Sequence, residues 1–158
     1  MYAAGFIDRL PRIISVQASG CCPINTAAAA GTEEWSPQPE NTIADSIAVG
    51  VPRNPIKAIR AIRESNGVCV NVSDDEILAA MRLLGRTQGV FAEPAGATGT
   101  AGIKKAIELG LIEKDASVVS VVTGNGLKDV NNAIKAAGEP ICIPPEMGLL
   151  LKELPELN

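Results

Sequence analysis

Two short segments carry residues whose types and spacing can do chemistry. Thr123-Gly124-Asn125-Gly126 follows an apolar run, and Phe91-Ala92-Glu93-Pro94-Ala95-Gly96-Ala97 opens a glycine-rich stretch. In open α/β sheets, ligands bind at the carboxyl ends of strands. Glycines there let a ligand approach the backbone, and Thr123 offers a hydroxyl. The turn matches neither G-x-G-x-x-G nor the P-loop pattern, so by itself it also reads as a plain strand-to-helix turn. Glu93 reads either as a charge at a helix N-terminus or as an acid in a cleft beside the Thr123 turn. Spacing alone does not show that the two segments meet.

Composition removes other chemistries. The chain has 158 residues and no histidine, which excludes Ser-His-Asp and Cys-His pairs, His-ligated zinc and histidine as general base. Cys21, Cys22, Cys69 and Cys142 form no C-x-x-C pair, so no metal site is expected. They read as reduced, small and mostly buried. Aromatic content of 3% and a net charge of −4, with no long basic block, argue against nucleic acid. No apolar run reaches the roughly 18 residues of a membrane span, and MYAAGFIDRLPR lacks the order of a signal peptide. With 46% hydrophobic residues and a mean hydropathy of +0.18, the chain can build a core. The expectation is a soluble, cytoplasmic protein, with residues 1–158 forming one domain or part of a larger one.

Strands and helices alternate around these segments. Arg12 to Gln17 is a short β-type run, and Cys22 to Ala30 an alanine-rich helix. Residues 31–41, polar and with two prolines, read as a surface loop onto which the single tryptophan, Trp35, folds back. Asn54 caps a helix that Pro55 begins, with Ile56, Ile59 and Ile62 on one face and Lys57, Arg60, Arg63 and Glu64 mostly solvated. Asn66-Gly67 ends it. Val68, Val70 and Val72 alternate as a strand. Ser73 to Glu76 is a capping box, which gives Asp74 and Asp75 a place in a helix's first turn rather than a metal site.

A helix opened by Glu93-Pro94 runs to Leu109 and stops at Gly110. Its Gly96, Gly99 and Gly102, three apart, each cost about 1 kcal/mol against alanine, so something must approach that face closely. Ser117 to Val122 reads as a strand buried on both faces. A helix from about Leu127 to Ala137, a short strand over Pro140–Ile143 and a helix from Pro145 to Leu154, within a C-terminal stretch 145–158, complete the pattern. The fold class is α/β: three αβα layers around a mostly parallel sheet, with helices on both faces. Three strands leave open edges unless another segment or chain covers them, so the domain looks incomplete.

SIAVGVPRNPIKAIRAIRESNG, the SDDEI helix start, GVFAEPAGATGTAGIKKA and VVTGNGLKD, in this order and spacing, closely resemble the C-terminal part of threonine synthase, a fold-type-II pyridoxal-phosphate enzyme. GFIDRLPRIISVQASGCCPI looks like its helix-to-strand connection. The likeness covers essentially the whole chain, from about Gly5 to Asp129 and on toward the end. It implies conversion of O-phospho-L-homoserine and water to threonine and phosphate, with pyridoxal 5'-phosphate as electron sink. It places the Thr123 hydroxyl at the pyridine nitrogen, where a neutral partner makes a milder sink than a carboxylate would. Gly124 and Asn125 would shape the same wall. Glu93 would lie near the ring, with Pro94, Ala95 and Gly96 letting the helix approach. Ser46 to Val51 resembles the segment at the active-site entrance.

The departures from the family are as informative. The family's Schiff-base lysine segment, of S-x-K-x-R type, and its G-G-N-x-G-type phosphate loop are absent. The seven lysines (57, 104, 105, 114, 128, 135 and 152) read as surface residues, and none is assigned as catalytic. The chain alone is therefore expected to be inactive and to need a missing N-terminal portion, or a homo-oligomer covering the sheet edge. The alternatives are a threonine or serine dehydratase-like fragment and a non-catalytic binding module derived from the enzyme. T-G-N-G-L-K-D favours the synthase.

Overall fold

The computed structural model describes residues 1–138, 140 and 142–153. Strand β1 (Ile14–Ala18) leads to helix α1 (Pro23–Ala29) and, after a segment without strand, to α2 (Pro55–Glu64). Strand β2 (Val68–Val72) is followed by α3 (Asp74–Gln88), α4 (Pro94–Glu108), α5 (Val130–Ala137) and α6 (Met147–Glu153). β1 and β2 pair in parallel, with Ile14 opposite Val68 and Ala18 opposite Val72.

Side chains alternate across a strand, so the pair has two unlike faces. Val16, Val70 and Val72 pack with Ala97 and Ala101 of α4 and Ile77 and Met81 of α3. The other face is polar, and α1 covers it with Asn25, only 2% exposed. Its amide nitrogen donates to Asn71 Oδ1 (2.6 Å) and Val70 O (3.1 Å), its Oδ1 accepts from Ser15 Oγ (2.6 Å), and its N–H donates to Gln17 Oε1 (2.8 Å). One residue thus satisfies polar groups of both strands, each of which would cost about 1–3 kcal/mol if buried unpaired. Helices on both faces of a small parallel sheet make this an incomplete αβα domain.

Local signals set the boundaries. The capping box forms: Glu76 N–H donates to Ser73 Oγ (3.2 Å) and Ser73 N–H to Glu76 Oε2 (2.6 Å). Asp74 does more than complement the helix dipole, accepting from Thr42 Oγ1 (2.6 Å) and Ile43 N–H (3.2 Å). Asn66 takes φ +53° after α2. Asn54 occupies the N-cap of α2 without a side-chain capping bond, and Ile56 is exposed while Ile59 and Ile62 are buried. The glycine stripe of α4 meets what its spacing requires. A Cβ on Gly102 would overlap the Val16 side chain, and one on Gly99 would lie 2.9 Å from Ser120 Oγ.

Three expectations fail. Ser117–Val122 forms no strand, and Val118, Val119 and Val121 are exposed. A ladder needs a paired neighbour, and among the described residues this run pairs with none. Of the strand expected over Pro140–Ile143, Ile141 is outside the described residues and the other three are not in a strand. Leu154 of the last expected helix is also outside them. Only Cys21 is buried; Cys22 and Cys69 are half-buried and Cys142 is exposed, all as free thiols. Burial pushes the Cys69 thiol up, away from the reactive thiolate.

Residues 31–41 contain no helix or strand, and Trp35 is half-buried within them. Glu33 tethers this stretch to α2 through Arg60 (2.8 Å) and Arg63 (2.7 Å). Hydrogen bonds from Arg60 and then Arg63 hold its carboxyl down at about 2. A depressed carboxylate stabilises above its ordinary value of 4.5 and loses that contribution as pH falls toward about 2. The pair is exposed, so salt weakens it. Trp35 fluorescence should therefore shift over that acid window. Glu33→Gln should give the shifted spectrum at neutral pH and remove the salt dependence; an unchanged spectrum would dissociate the tether from the loop.

Helix glycines should split by environment. Gly85 of α3 has open space where a Cβ would go, so Gly85→Ala should stabilise by up to about 1 kcal/mol. Gly102→Ala should instead destabilise by roughly 1–3 kcal/mol through overpacking, and Val16→Ala in the same chain should recover part of it. Denaturant midpoints check both.

Candidate functional site

The two segments singled out by residue type meet. Phe91–Glu93 and Gly124–Gly126 run antiparallel. Ala92 bridges Asn125, Glu93 N–H donates to Gly124 O (3.0 Å), and Gly126 N–H donates to Phe91 O (3.0 Å). Glycine is needed at each crossing. A Cβ on Gly124 would occupy the space of the Glu93 carboxylate, and one on Gly126 would enter the Phe91 ring. A Cβ on Gly96 would press on the Gly124 backbone at 3.0–3.1 Å.

Glu93 stands at the N-cap of α4, but its side chain caps nothing. Its carboxylate lies against Gly124, with the residue 4% exposed. Lys128 donates to its Oε1 at 3.2 Å, reaching back from the short 3-10 turn Gly126–Lys128. A buried carboxylate needs a cation or several donors, and Lys128 supplies that partner. By residue type and spacing, Lys128 is one surface lysine among seven. The usable signal was the need of Glu93 for a counter-charge within a few residues of the glycine turn.

Pro94 is buried at the first position of α4, and Ala95 packs at the edge of the core. Thr98 Oγ1 donates back to Pro94 O (2.9 Å), tightening that turn. Thr123 is exposed, and its hydroxyl has no hydrogen-bond partner among the described residues. Asn125 Oδ1 accepts from Leu127 N–H (2.9 Å) and so shapes the turn itself. Asp129 caps α5 through Asn132 N–H (3.1 Å). Ser46, Ile47 and Val49 line a separate groove along β1. The result is a wall with one open hydroxyl, a turn that its glycines let close onto the Glu93 carboxylate and the Phe91 ring, and an ion-paired acid behind it. Such a wall can meet the edge of a flat polar ring. Among the described residues, no three of Cys, Asp and Glu gather as metal ligands, and no helix is long and apolar enough to cross a membrane.

The family model described as pyridoxal-phosphate dependent enzyme matches residues 2–124. The chain belongs to that family. It is 44% identical over 155 residues to a threonine synthase of Methanocaldococcus jannaschii, covering 97% of this chain and 38% of that protein. It is 39% identical over 153 residues to a threonine synthase of Mycobacterium leprae, covering 97% and 41%. Its fold matches an L-serine ammonia-lyase from Rhizomucor miehei (TM-score 0.60, 20% identity, 80% of this chain and 41% of the other). It also matches a maize serine racemase (TM-score 0.55, 19% identity, 93% and 39%). This pyridoxal-phosphate family member thus spans about two-fifths of the length of the curated relatives it matches.

The residues present suit one end of that cofactor. A pyridine nitrogen takes one hydrogen bond at the ring edge, and the open Thr123 hydroxyl has that chemistry. The lysines offer less. Lys128 is held by Glu93, Lys105 by Glu76 (2.9 Å) and Lys104 by Glu108 (3.8 Å). Lys57, Lys114, Lys135 and Lys152 are exposed on the surface.

Gly124→Ala should displace the Glu93 carboxylate. Adding Glu93→Ala should make the alanine at position 124 far less costly. A double-mutant cycle on thermal stability should return a coupling of about 1–3 kcal/mol; additive effects would mean that the contact does not form.

Proposed function

We propose that this chain is the C-terminal part of a threonine synthase-like enzyme, which converts O-phospho-L-homoserine and water to L-threonine and phosphate. The observation that carries the reading is the joining of Glu93–Gly96 to Thr123–Gly126 in a chain 44% identical to a threonine synthase. Pyridoxal phosphate, when bound, supplies an electron sink for carbanions next to its ring. Thr123 would hydrogen-bond the ring nitrogen. Because its group is a neutral hydroxyl rather than a carboxylate, it leaves that nitrogen without a strong proton partner.

Gly124 lets the turn close onto the Glu93 carboxylate, and Asn125 fixes the turn. Glu93 sets a negative charge behind the wall, which Lys128 balances. Pro94, Ala95 and Gly96 bring the start of α4 against the turn. The lysine that carries the cofactor and the cradle for its phosphate would come from a portion outside this chain, so the chain alone is inactive.

A chimera tests this. The chain replaces the matching part of the Methanocaldococcus jannaschii threonine synthase, and the product is assayed for phosphate release from O-phospho-L-homoserine. Release is the expected result. Ammonia and 2-oxobutanoate from threonine would assign a dehydratase instead. A folded chimera with neither activity would favour a binding module. Thr123→Val should lower kcat roughly tenfold, the worth of one hydrogen bond of about 1.4 kcal/mol, without changing the melting midpoint.

A further inference from the structure

Glu93 is held in a way that its place in the chain does not require. An acid at a helix N-cap can accept from the free N–H groups of the first turn, where the helix dipole also favours it. The Glu93 side chain makes no such bond. It turns instead toward the Thr123 turn, with its carboxylate packed on Gly124 and the side chain 5% exposed. Among the described residues, the donor that it meets there is Lys128, 3.2 Å from Oε1.

This contact closes a ring. The Glu93 N–H donates to Gly124 O (3.0 Å) and its carboxylate accepts from Lys128, so one residue grips both ends of the segment 124–128. Between those ends the segment is bonded to itself. Leu127 N–H donates to Asn125 Oδ1 (2.9 Å) and Lys128 N–H to Asn125 O (3.0 Å). The neighbouring acid is engaged elsewhere: Asp129 Oδ1 accepts from Asn132 N–H (3.1 Å) and Oδ2 from the Asn132 amide (2.6 Å). The two partners differ in burial, with the Lys128 side chain 60% exposed against 5% for Glu93. Water can solvate the lysine without its partner, but it reaches little of the carboxylate. Losing the lysine therefore costs far more than losing the acid.

We propose that Lys128 is a positioning residue of the candidate site: it pins the buried Glu93 carboxylate against Gly124, and through it holds the turn that carries Thr123. A carboxylate left there without a cation regains solvation only by swinging out to water, which releases Gly124 and the Thr123 hydroxyl with it. A neutral glutamine at position 93 has no such need and can stay packed. The lysine thus acts on the turn through Glu93 and not on a ligand directly. Its effect on the turn is independent of the reaction; its effect on turnover rests on the function proposed above.

Hydrogen exchange at the Glu93 and Gly126 amides, which bond across the turn, reads the pinning in the full chain. Lys128→Met should speed it at least about tenfold and lower the melting midpoint by about 5 °C or more. Glu93→Gln should change exchange by less than about threefold, and adding it to Lys128→Met should return exchange and midpoint to the values of Glu93→Gln alone. A Lys128→Met chain that does not fold, beside a double variant that does, would support the pinning equally. Lys104→Met, at an exposed position of α4, should behave as the parent. In the chimera described above, Lys128→Met should lower kcat for phosphate release at least about tenfold, Lys128→Arg should keep it within about threefold, and the double variant should turn over as Glu93→Gln does. Unchanged exchange in Lys128→Met, or a double variant no better than Lys128→Met, would overturn the proposal. So would a double variant with restored exchange but turnover below that of Glu93→Gln, which would put the lysine on the ligand itself. A parent chimera that releases no phosphate would sink the proposed reaction alone, because the exchange measurement still decides the role of Lys128.

Discussion

The structure depends on how closely helix α4 can lie against its neighbours. Gly96, Gly99 and Gly102 form one stripe, and each meets a different partner: the Gly124 backbone, the Ser120 hydroxyl and the Val16 side chain. Three glycines cost about 3 kcal/mol of helix stability against alanine. That cost is offset by what the bare face admits. At one end the stripe seats β1 and closes the core; at the other it holds the Thr123 turn against Glu93. A side chain at either end would separate the sheet from the candidate site.

The opposite face of the sheet is organised by polarity instead of close approach. Asn25 gathers Ser15, Gln17, Val70 and Asn71 into one hydrogen-bonded cluster. A polar cluster of this kind fixes register, because a one-residue slip would bury Ile14 and Val16 against the amide and turn Ser15 and Gln17 to the core. Packing on α4 and polar pairing on α1 therefore specify the same alignment of β1 and β2 from opposite sides. The site inherits that alignment through α4.

Features decided by near neighbours were legible in the residues. The capping box, the left-handed exit of α2 and the close-packed glycine stripe each depend on contacts that spacing announces. The meeting of Glu93 with Gly124 was not legible, because it joins residues about 30 positions apart through a tertiary turn. Lys128 became interpretable only once Glu93 was seen to be buried. Asn25 left a faint trace, the alternation of Ser15 and Gln17 along β1, which marks one face of that strand as polar. Ser117–Val122 failed for a different reason. Its valines state an environment, and no composition can state whether the neighbour that creates that environment belongs to the same chain.

That distinction separates the two parts of the molecule. The wall around Thr123 is built from residues 91–98 and 123–128, all within this chain, and its hydrogen bonds and ion pair close on one another. The sheet does not close. Burying a valine side chain fully contributes about 1.5–3 kcal/mol, so covering Val119 and Val121 alone amounts to about 3–6 kcal/mol. A small domain's entire net stability is about 5–15 kcal/mol. The exposure of these two valines thus leaves unused a burial free energy that is large on the scale of such a total, while the wall closes on its own contacts. A chain built this way closes the wall around Thr123 on its own contacts while leaving the valines of residues 117–122 exposed.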